Sequence, residues 1–211
     1  MSYTIYGDLG SGAFSAEAAL AEAGAEYAFH TVSLEKNVQR EPAYLAINPS
    51  GKMPAVKLPG GEIVTESAAI LLTVADRHPE AALLPPQGSV ARAQCCRWLA
   101  FMASEVYPMV EICDYPERFV PNDQSEALRG RARERIRERL LAVEHHVHGP
   151  WMLATGFSVS DIYIAMFTRW RNDIGKEWLA EGHIPKVMAL ADAVSERPKI
   201  APVWRKHFPK G

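Results

Sequence analysis

Apolar and polar positions change their period once along this chain, near residue 80. Before that point, short strand-like runs alternate with helical ones. Residues 3–6 form an apolar run that ends in the glycine-rich stretch Gly7-Asp8-Leu9-Gly10-Ser11-Gly12. Residues 14–24 are alanine-rich and helical in pattern, and they close on Gly24, a residue type that accepts the left-handed C-cap. Residues 27–32 alternate as a half-buried strand does, and 42–47 read as a short helix. Residues 55–58 and 62–64 read as two strands about the Pro59-Gly60-Gly61 turn, and 67–77 as a helix. The order β-α-β-α-β-β-α predicts an α/β layer with a mixed sheet.

The prolines of residues 79–88 mark a linker, and after it the strand signal disappears. Residues 90–113 and 124–148 have helical periodicity, with Leu128, Ala132, Ile136, Leu140 and Val143 along one face of the second. Ser158-Val159-Ser160-Asp161 has the spacing of a capping box, in which the acidic side chain reaches back to the serine N–H. It opens an apolar run over 162–170 that predicts a buried helix. A further helix over 185–195 stops before Pro198. The expected organisation is an α/β domain over 1–78, a linker over 79–88 and an all-helical domain over 89–211.

Composition narrows the class. The 211 residues are 48% hydrophobic and 23% charged with a net charge of −2, which gives no electrostatic case for nucleic acid or membrane. No apolar run approaches the roughly 20 residues of a membrane span. The first residues lack the basic flank and apolar core of a signal peptide, so the expected location is cytoplasmic. Cys95, Cys96 and Cys113 have neither the even count of a disulfide framework nor a zinc-like spacing. The arginine run from Arg129 to Arg139 is interleaved with Glu134 and Glu138, as on a solvated helix with ion pairs. His145, His146 and His148 suit a helix C-terminus without a metal. No metal is expected.

Two segments carry chemistry. In Asn48-Pro49-Ser50-Gly51-Lys52-Met53-Pro54-Ala55-Val56 a proline stands where a strand begins, and it forces its predecessor into an extended conformation. The Met53 backbone is then available to pair with an extended peptide. In Thr65-Glu66-Ser67-Ala68-Ala69-Ile70 a serine stands at the mouth of a helix, where a hydroxyl and unpaired N–H groups favour a carboxylate. Together they describe a slot for a small peptide with a free carboxylate. The α/β domain has no Cys-x-x-Cys pair, which argues against dithiol redox chemistry, and the first turn has no phosphate-loop lysine.

These two segments, with Phe157-Ser158-x-x-Asp161-Ile162 and the two-domain order, resemble the cytosolic glutathione transferase family over essentially the whole chain. The resemblance implies a thioredoxin-like domain followed by an all-helical one, in a homodimeric, detoxifying transferase. Glutathione would be the co-substrate and a small hydrophobic electrophile its partner. It makes Pro54 a cis-proline, the Met53 backbone the partner of the cysteinyl unit, and Glu66 and Ser67 the holders of the γ-glutamyl group. It also places the thiol-activating hydroxyl in the first loop, at Ser11 in a register similar to the serine-type classes, with Ser15 and Tyr6 as alternatives. Phe14, Tyr107 and Trp170 are the expected electrophile-pocket residues, although Tyr107 reads equally as a core aromatic. Glutathione-dependent isomerisation, peroxide reduction and a non-catalytic interaction module share the same resemblance.

Overall fold

A computed structural model describes residues 2–209. It divides into two compact units, one made of the residues up to Pro85 with those from Val194 onward, the other of Pro86–Ala193.

The first unit holds a four-stranded sheet in the order β2-β1-β3-β4, from β1 (Tyr3–Gly7), β2 (Tyr27–Thr31), β3 (Ala55–Lys57) and β4 (Ile63–Thr65). β1 and β2 are parallel, while β3 runs antiparallel to both β1 and β4, so the sheet is mixed as expected. Helix α1 (Ala13–Ala23) ends on Gly24 at φ +71, where a side chain would be strained. Gly7 has no room for a Cβ because Ala13 already occupies the space, which lets β1 turn tightly into α1. The short α2 (Pro42–Leu45) and α3 (Ser67–Arg77) complete the predicted order. Ile5, Phe14, Leu20, Val56, Ile70, Leu71 and Val74 are almost wholly buried and make the core.

The second unit is helical: α4 (Val90–Phe101), α5 (Tyr107–Asp114), α6 (Ser125–His146), α7 (Val159–Phe167), α8 (Arg171–Ile174), α9 (Lys176–Ala180) and most of α10 (Pro185–Glu196). The sequence pattern predicts one helix over 90–113, but a π segment, Met102–Val106, separates α4 from α5. Pro108 explains the break, because it has no N–H to give the Ser104 carbonyl four residues back. The arginine run is also less solvated than its pattern suggests. Arg129 Nε donates to the Cys113 carbonyl at 2.9 Å, and Arg137 Nε to that of Ile174, the last residue of α8, at 2.8 Å. Ser158 and Asp161 form the expected capping box on α7, whose residues are buried throughout.

The last helix, α11 (Ala201–His207), lies beyond the point where the sequence reading ends its helices, and it belongs to the first unit. Phe14 meets Trp204 and Phe208 at ring-centroid distances of 5.3 and 5.0 Å.

A carboxyl pair in the second unit sets a pH dependence. Asp114 and Asp173 share a hydrogen bond, and burial pushes both up, Asp173 to about 7, against the opposing pull of Arg129 on both, Arg118 on Asp114 and Arg133 on Asp173. A folded-state pKa above the unfolded one means that the folded chain holds the proton more tightly. This contribution to stability is therefore complete below the ordinary carboxylate range and fades as pH rises through about 7. Asp173→Asn is expected to flatten the loss of thermal stability between about pH 5 and about pH 8. Calorimetry of both proteins checks it, and parallel curves would remove the pair as the cause.

Candidate functional site

Sheet register brings the chemistry-bearing segments to one end of the first unit. Tyr6 is opposite Ala55, and Ala55 is opposite Thr65, so one row crosses β1, β3 and β4. The loop after β1, the residues just before β3 and the start of the helix after β4 all leave the sheet along this row.

The middle segment is held by its own asparagine. Asn48 is buried; its Nδ2 donates to the Lys52 carbonyl at 2.7 Å, and its Oδ1 accepts from Ser50 N–H at 3.2 Å and Ser50 Oγ at 2.8 Å. Tyr44 Oη donates to the same Lys52 carbonyl at 2.7 Å. Gly51 is at φ +60, and a Cβ there would sit 3.1 Å from the Gln39 carbonyl, so no other residue fits easily. These bonds fix the chain up to Met53, and the Met53–Pro54 peptide is cis. Met53 N–H and C=O lie outside the β3 ladder and have no partner among the described residues.

The third segment is an open helix end. Within α3 the first N–H to find a helical carbonyl is that of Ile70, which donates to Glu66 at 2.9 Å. The N–H groups of Ser67, Ala68 and Ala69 precede it, and no side chain caps them. Ser67 is 5% exposed, and its hydroxyl has no partner among the described residues. Glu66 is exposed at φ 65 and ψ 113, a conformation that costs a non-glycine residue about 1–3 kcal/mol. Unpaired donors, the positive end of a helix dipole and a carboxylate beside them suit a zwitterionic amino-acid head group.

The first loop is internally bonded. Asp8 Oδ2 accepts from Leu34 N–H at 2.7 Å, and the Asp8 carbonyl accepts from Ser11 Oγ at 2.7 Å. Ser11 Oγ in turn accepts from Ala13 N–H at 3.2 Å. Its single hydroxyl proton is therefore engaged, and a turn about one bond would redirect it. Ser15 is wholly buried and donates to the Gly12 carbonyl at 2.8 Å, which makes it a hydroxyl of the fold. Tyr6 packs its ring on His30 at 5.4 Å. Gly12 N–H has no partner among the described residues, a donor that the residue pattern did not single out. Gly10 N–H donates to His207 Nδ1 at 3.2 Å, a link across almost the whole sequence that no local motif announces.

The expected pocket residues fall in separate places. Phe14 is wholly buried beneath Trp204 and Phe208, inside the core of the first unit. Tyr107 and Trp170 meet within the second unit at 5.2 Å, together with Phe167 at 5.4 and 5.0 Å from the two rings. Tyr107 opens α5 directly after the π segment. Burial pushes the Cys95 and Cys113 thiols up, Cys113 to about 11, so neither is a ready nucleophile. Among the described residues no cluster of three or more His, Cys, Asp or Glu has the arrangement of a metal site, and no helix is long and apolar enough to cross a membrane.

A mixed four-stranded layer that presents a cis-prolyl peptide and an open helix end along one row, joined to a helical unit, defines a thioredoxin-like protein with a helical second domain. Residues 1–76 match the family Glutathione S-transferase, N-terminal domain. The chain is 31% identical over 206 residues to the GST-like protein YncG of Escherichia coli strain K12, with 96% of this chain and 97% of that protein covered. This chain belongs to the glutathione S-transferase family. Among solved structures it resembles a glutathione transferase homologue from Sulfitobacter with bound glutathione, at TM-score 0.89 and 27% identity over 98% of this chain and 99% of that one. It also resembles a sphingomonad glutathione S-transferase complexed with glutathione, at TM-score 0.82 and 29% identity over 98% and 100% of the two chains.

Proposed function

We propose that this chain binds glutathione along the shared sheet row and joins it, through its sulfur, to small electrophiles. The observation that carries the reading is the unpaired Ser67 hydroxyl on an uncapped helix end, in the same row as the unpaired Met53 backbone. Ser67 and the α3 N–H groups would take the γ-glutamyl carboxylate, and Glu66 the ammonium. The Met53 N–H and C=O would pair with the cysteinyl unit as an added strand does. That leaves the thiol at the Ser11–Gly12 end, where β1 passes into α1.

A free thiol titrates near 8.5, so only a few per cent is thiolate at neutral pH. Two donors bear on it here: Gly12 N–H, which has no partner among the described residues, and the Ser11 hydroxyl once it exchanges the Asp8 carbonyl for sulfur. Hydrogen bonds to the charged form lower a pKa, and about 1.4 kcal/mol corresponds to one unit. The thiolate lone pair then forms a carbon–sulfur bond to the electrophile. In a displacement the leaving group departs with its bonding electrons; in an addition the electrons pass to an adjacent atom, which takes a proton from solvent.

Retention on immobilised glutathione, followed by absorbance titration of the bound thiolate, tests this reading. The wild type is expected to bind and to show a depressed thiolate pKa, with Ser11→Ala about one unit higher. Failure of the wild type to bind would leave a fold without this chemistry. Binding with equal pKa values in both proteins would make Ser11 a loop-closing residue alone.

A further inference from the structure

His207 is a wholly enclosed imidazole at the end of α11, and both of its nitrogens are engaged. Nε2 lies 2.7 Å from Glu17 Oε2, and Nδ1 lies 3.2 Å from Gly10 N. Glu17, on α1, is itself buried and also takes Lys206 Nζ at 2.7 Å and Tyr27 Oη at 3.2 Å. Among the described residues these are the charged and titratable groups bonded to the imidazole or to Glu17. The rings of Phe14, Phe29 and Phe208 close the rest, at centroid distances of 5.6, 5.7 and 6.0 Å.

The partners assign the tautomer. Burial works to raise the Glu17 carboxyl, but the bonds from His207 and Lys206 outweigh it and hold the group below its ordinary value. A carboxylate only accepts, so Nε2 carries the proton. A backbone N–H only donates, so Nδ1 is bare. The bond then falls on Gly10, the residue directly before Ser11 and two before Gly12.

We infer that His207 is a positioning residue for thiol activation: its Nδ1 holds Gly10 so that the Ser11 hydroxyl and the Gly12 N–H converge on one point. Glu17 fixes the imidazole, as a carboxylate does for a metal-bound or catalytic histidine. The inference rests on the proposed glutathione site. Gly10 itself is at φ +74; within its loop Ser11 N–H and Ser11 Oγ reach the Asp8 carbonyl at 3.4 and 2.7 Å, Leu9 N–H reaches Asp8 Oδ1 at 2.9 Å and Ala13 N–H reaches Ser11 Oγ at 3.2 Å. From outside the loop Leu34 N–H holds Asp8, and His207 holds Gly10, the residue next to Ser11.

Two substitutions separate the nitrogens. In His207→Gln the amide nitrogen reaches toward the former Nε2 position and keeps Glu17, but the bond from Gly10 N–H to Nδ1 is lost. In His207→Asn the amide oxygen takes the Nδ1 place and keeps Gly10, while Glu17 retains only Lys206 and Tyr27. Bound-thiolate absorbance against pH, glutathione Kd and kcat/KM are measured for the three proteins. His207→Gln is expected to raise the thiolate pKa by about one unit and lower kcat/KM about tenfold at neutral pH, with Kd little changed. His207→Asn is expected to stay within about twofold of the wild type.

A depressed pKa in the wild type that His207→Gln leaves in place overturns the inference alone. A purely structural role predicts that both variants lose stability together and that neither moves the thiolate. A wild type that binds no glutathione, or binds it without a depressed pKa, overturns the proposed function and this inference with it. If His207→Gln does not fold, the wild type decides by nitrogen NMR. A bare Nδ1 coupled through a hydrogen bond to the Gly10 amide supports the inference, and a protonated Nδ1 in the glutathione-bound protein overturns it.

Discussion

Asp161→Ala is expected to lower the unfolding free energy by about 4 kcal/mol. Asp161 has no exposed surface, and its two oxygens serve different parts of the second unit. Oδ1 accepts from Met152 N–H at 2.7 Å, and Oδ2 accepts from Ser158 N–H at 2.7 Å and from Ser158 Oγ at 3.2 Å. Alanine leaves two buried N–H groups without an acceptor, each worth about 1–3 kcal/mol, and removes the cap of the most deeply buried helix. The total is a large share of the 5–15 kcal/mol typical of a domain. Asp161→Asn keeps one carbonyl oxygen and turns an amide N–H₂ toward the other donor, so about half of the loss is expected. Urea titration of the three proteins gives the order directly. An alanine variant within about 1 kcal/mol of wild type would mean that water or a rearranged loop supplies the missing acceptors.

The second large effect concerns binding. Ser67→Ala is expected to weaken glutathione about thirtyfold, which corresponds to about 2 kcal/mol, the range of a hydrogen bond to a charged group. The hydroxyl has no partner among the described residues, so its loss leaves no other protein group unpaired and stability should hardly move. The N–H groups of the first turn of α3 remain, and the carboxylate site is thinned without being abolished. Calorimetric Kd measures the effect, and the thiolate pKa of whatever remains bound serves as the control. It should match the wild type, because in the proposed reading Ser67 meets the carboxylate end of the ligand and Ser11 the thiol end. An unchanged Kd would remove Ser67 from the carboxylate site.

Most of the fold was legible because its signals are local. Gly24 stops α1, Ser158 and Asp161 open α7, and β1 alternates between buried and half-buried positions. The cis-prolyl turn and the open helix end were equally marked in the residues around Pro54 and Ser67, since a proline at a strand start and a serine at a helix mouth each restrict the backbone at their own position. What the pattern hid was non-local. Nothing in 14–24 says that Phe14 lies under a helix from the other end of the chain, so a residue next to the loop passed for a pocket wall. Ser11 reads as a free hydroxyl in sequence, while in three dimensions the Asp8 carbonyl takes its proton. The arginines of α6 read as solvated, although Arg129 and Arg137 turn their guanidinium groups onto backbone carbonyls. The π segment was hidden differently: Pro108 was visible, but a proline inside an apolar helical pattern kinks, ends or widens a helix with equal ease.

The division of the first unit across the sequence has a consequence for synthesis. A ribosome releases the four strands, α1 and α3 first, then all of the second unit, and only afterwards α11. At typical elongation rates that gap is on the order of ten seconds. Throughout it Phe14 lacks Trp204 and Phe208, and Glu17 lacks the Lys206 ammonium and the Nε2–H of His207. The nascent first unit therefore has its sheet while one side of α1 is still bare, apolar and uncompensated in charge. That side is where a chaperone would engage the growing chain. It is also where a stop codon introduced shortly before residue 201 would do its damage: such a product would keep the sheet and leave that side of α1 uncovered.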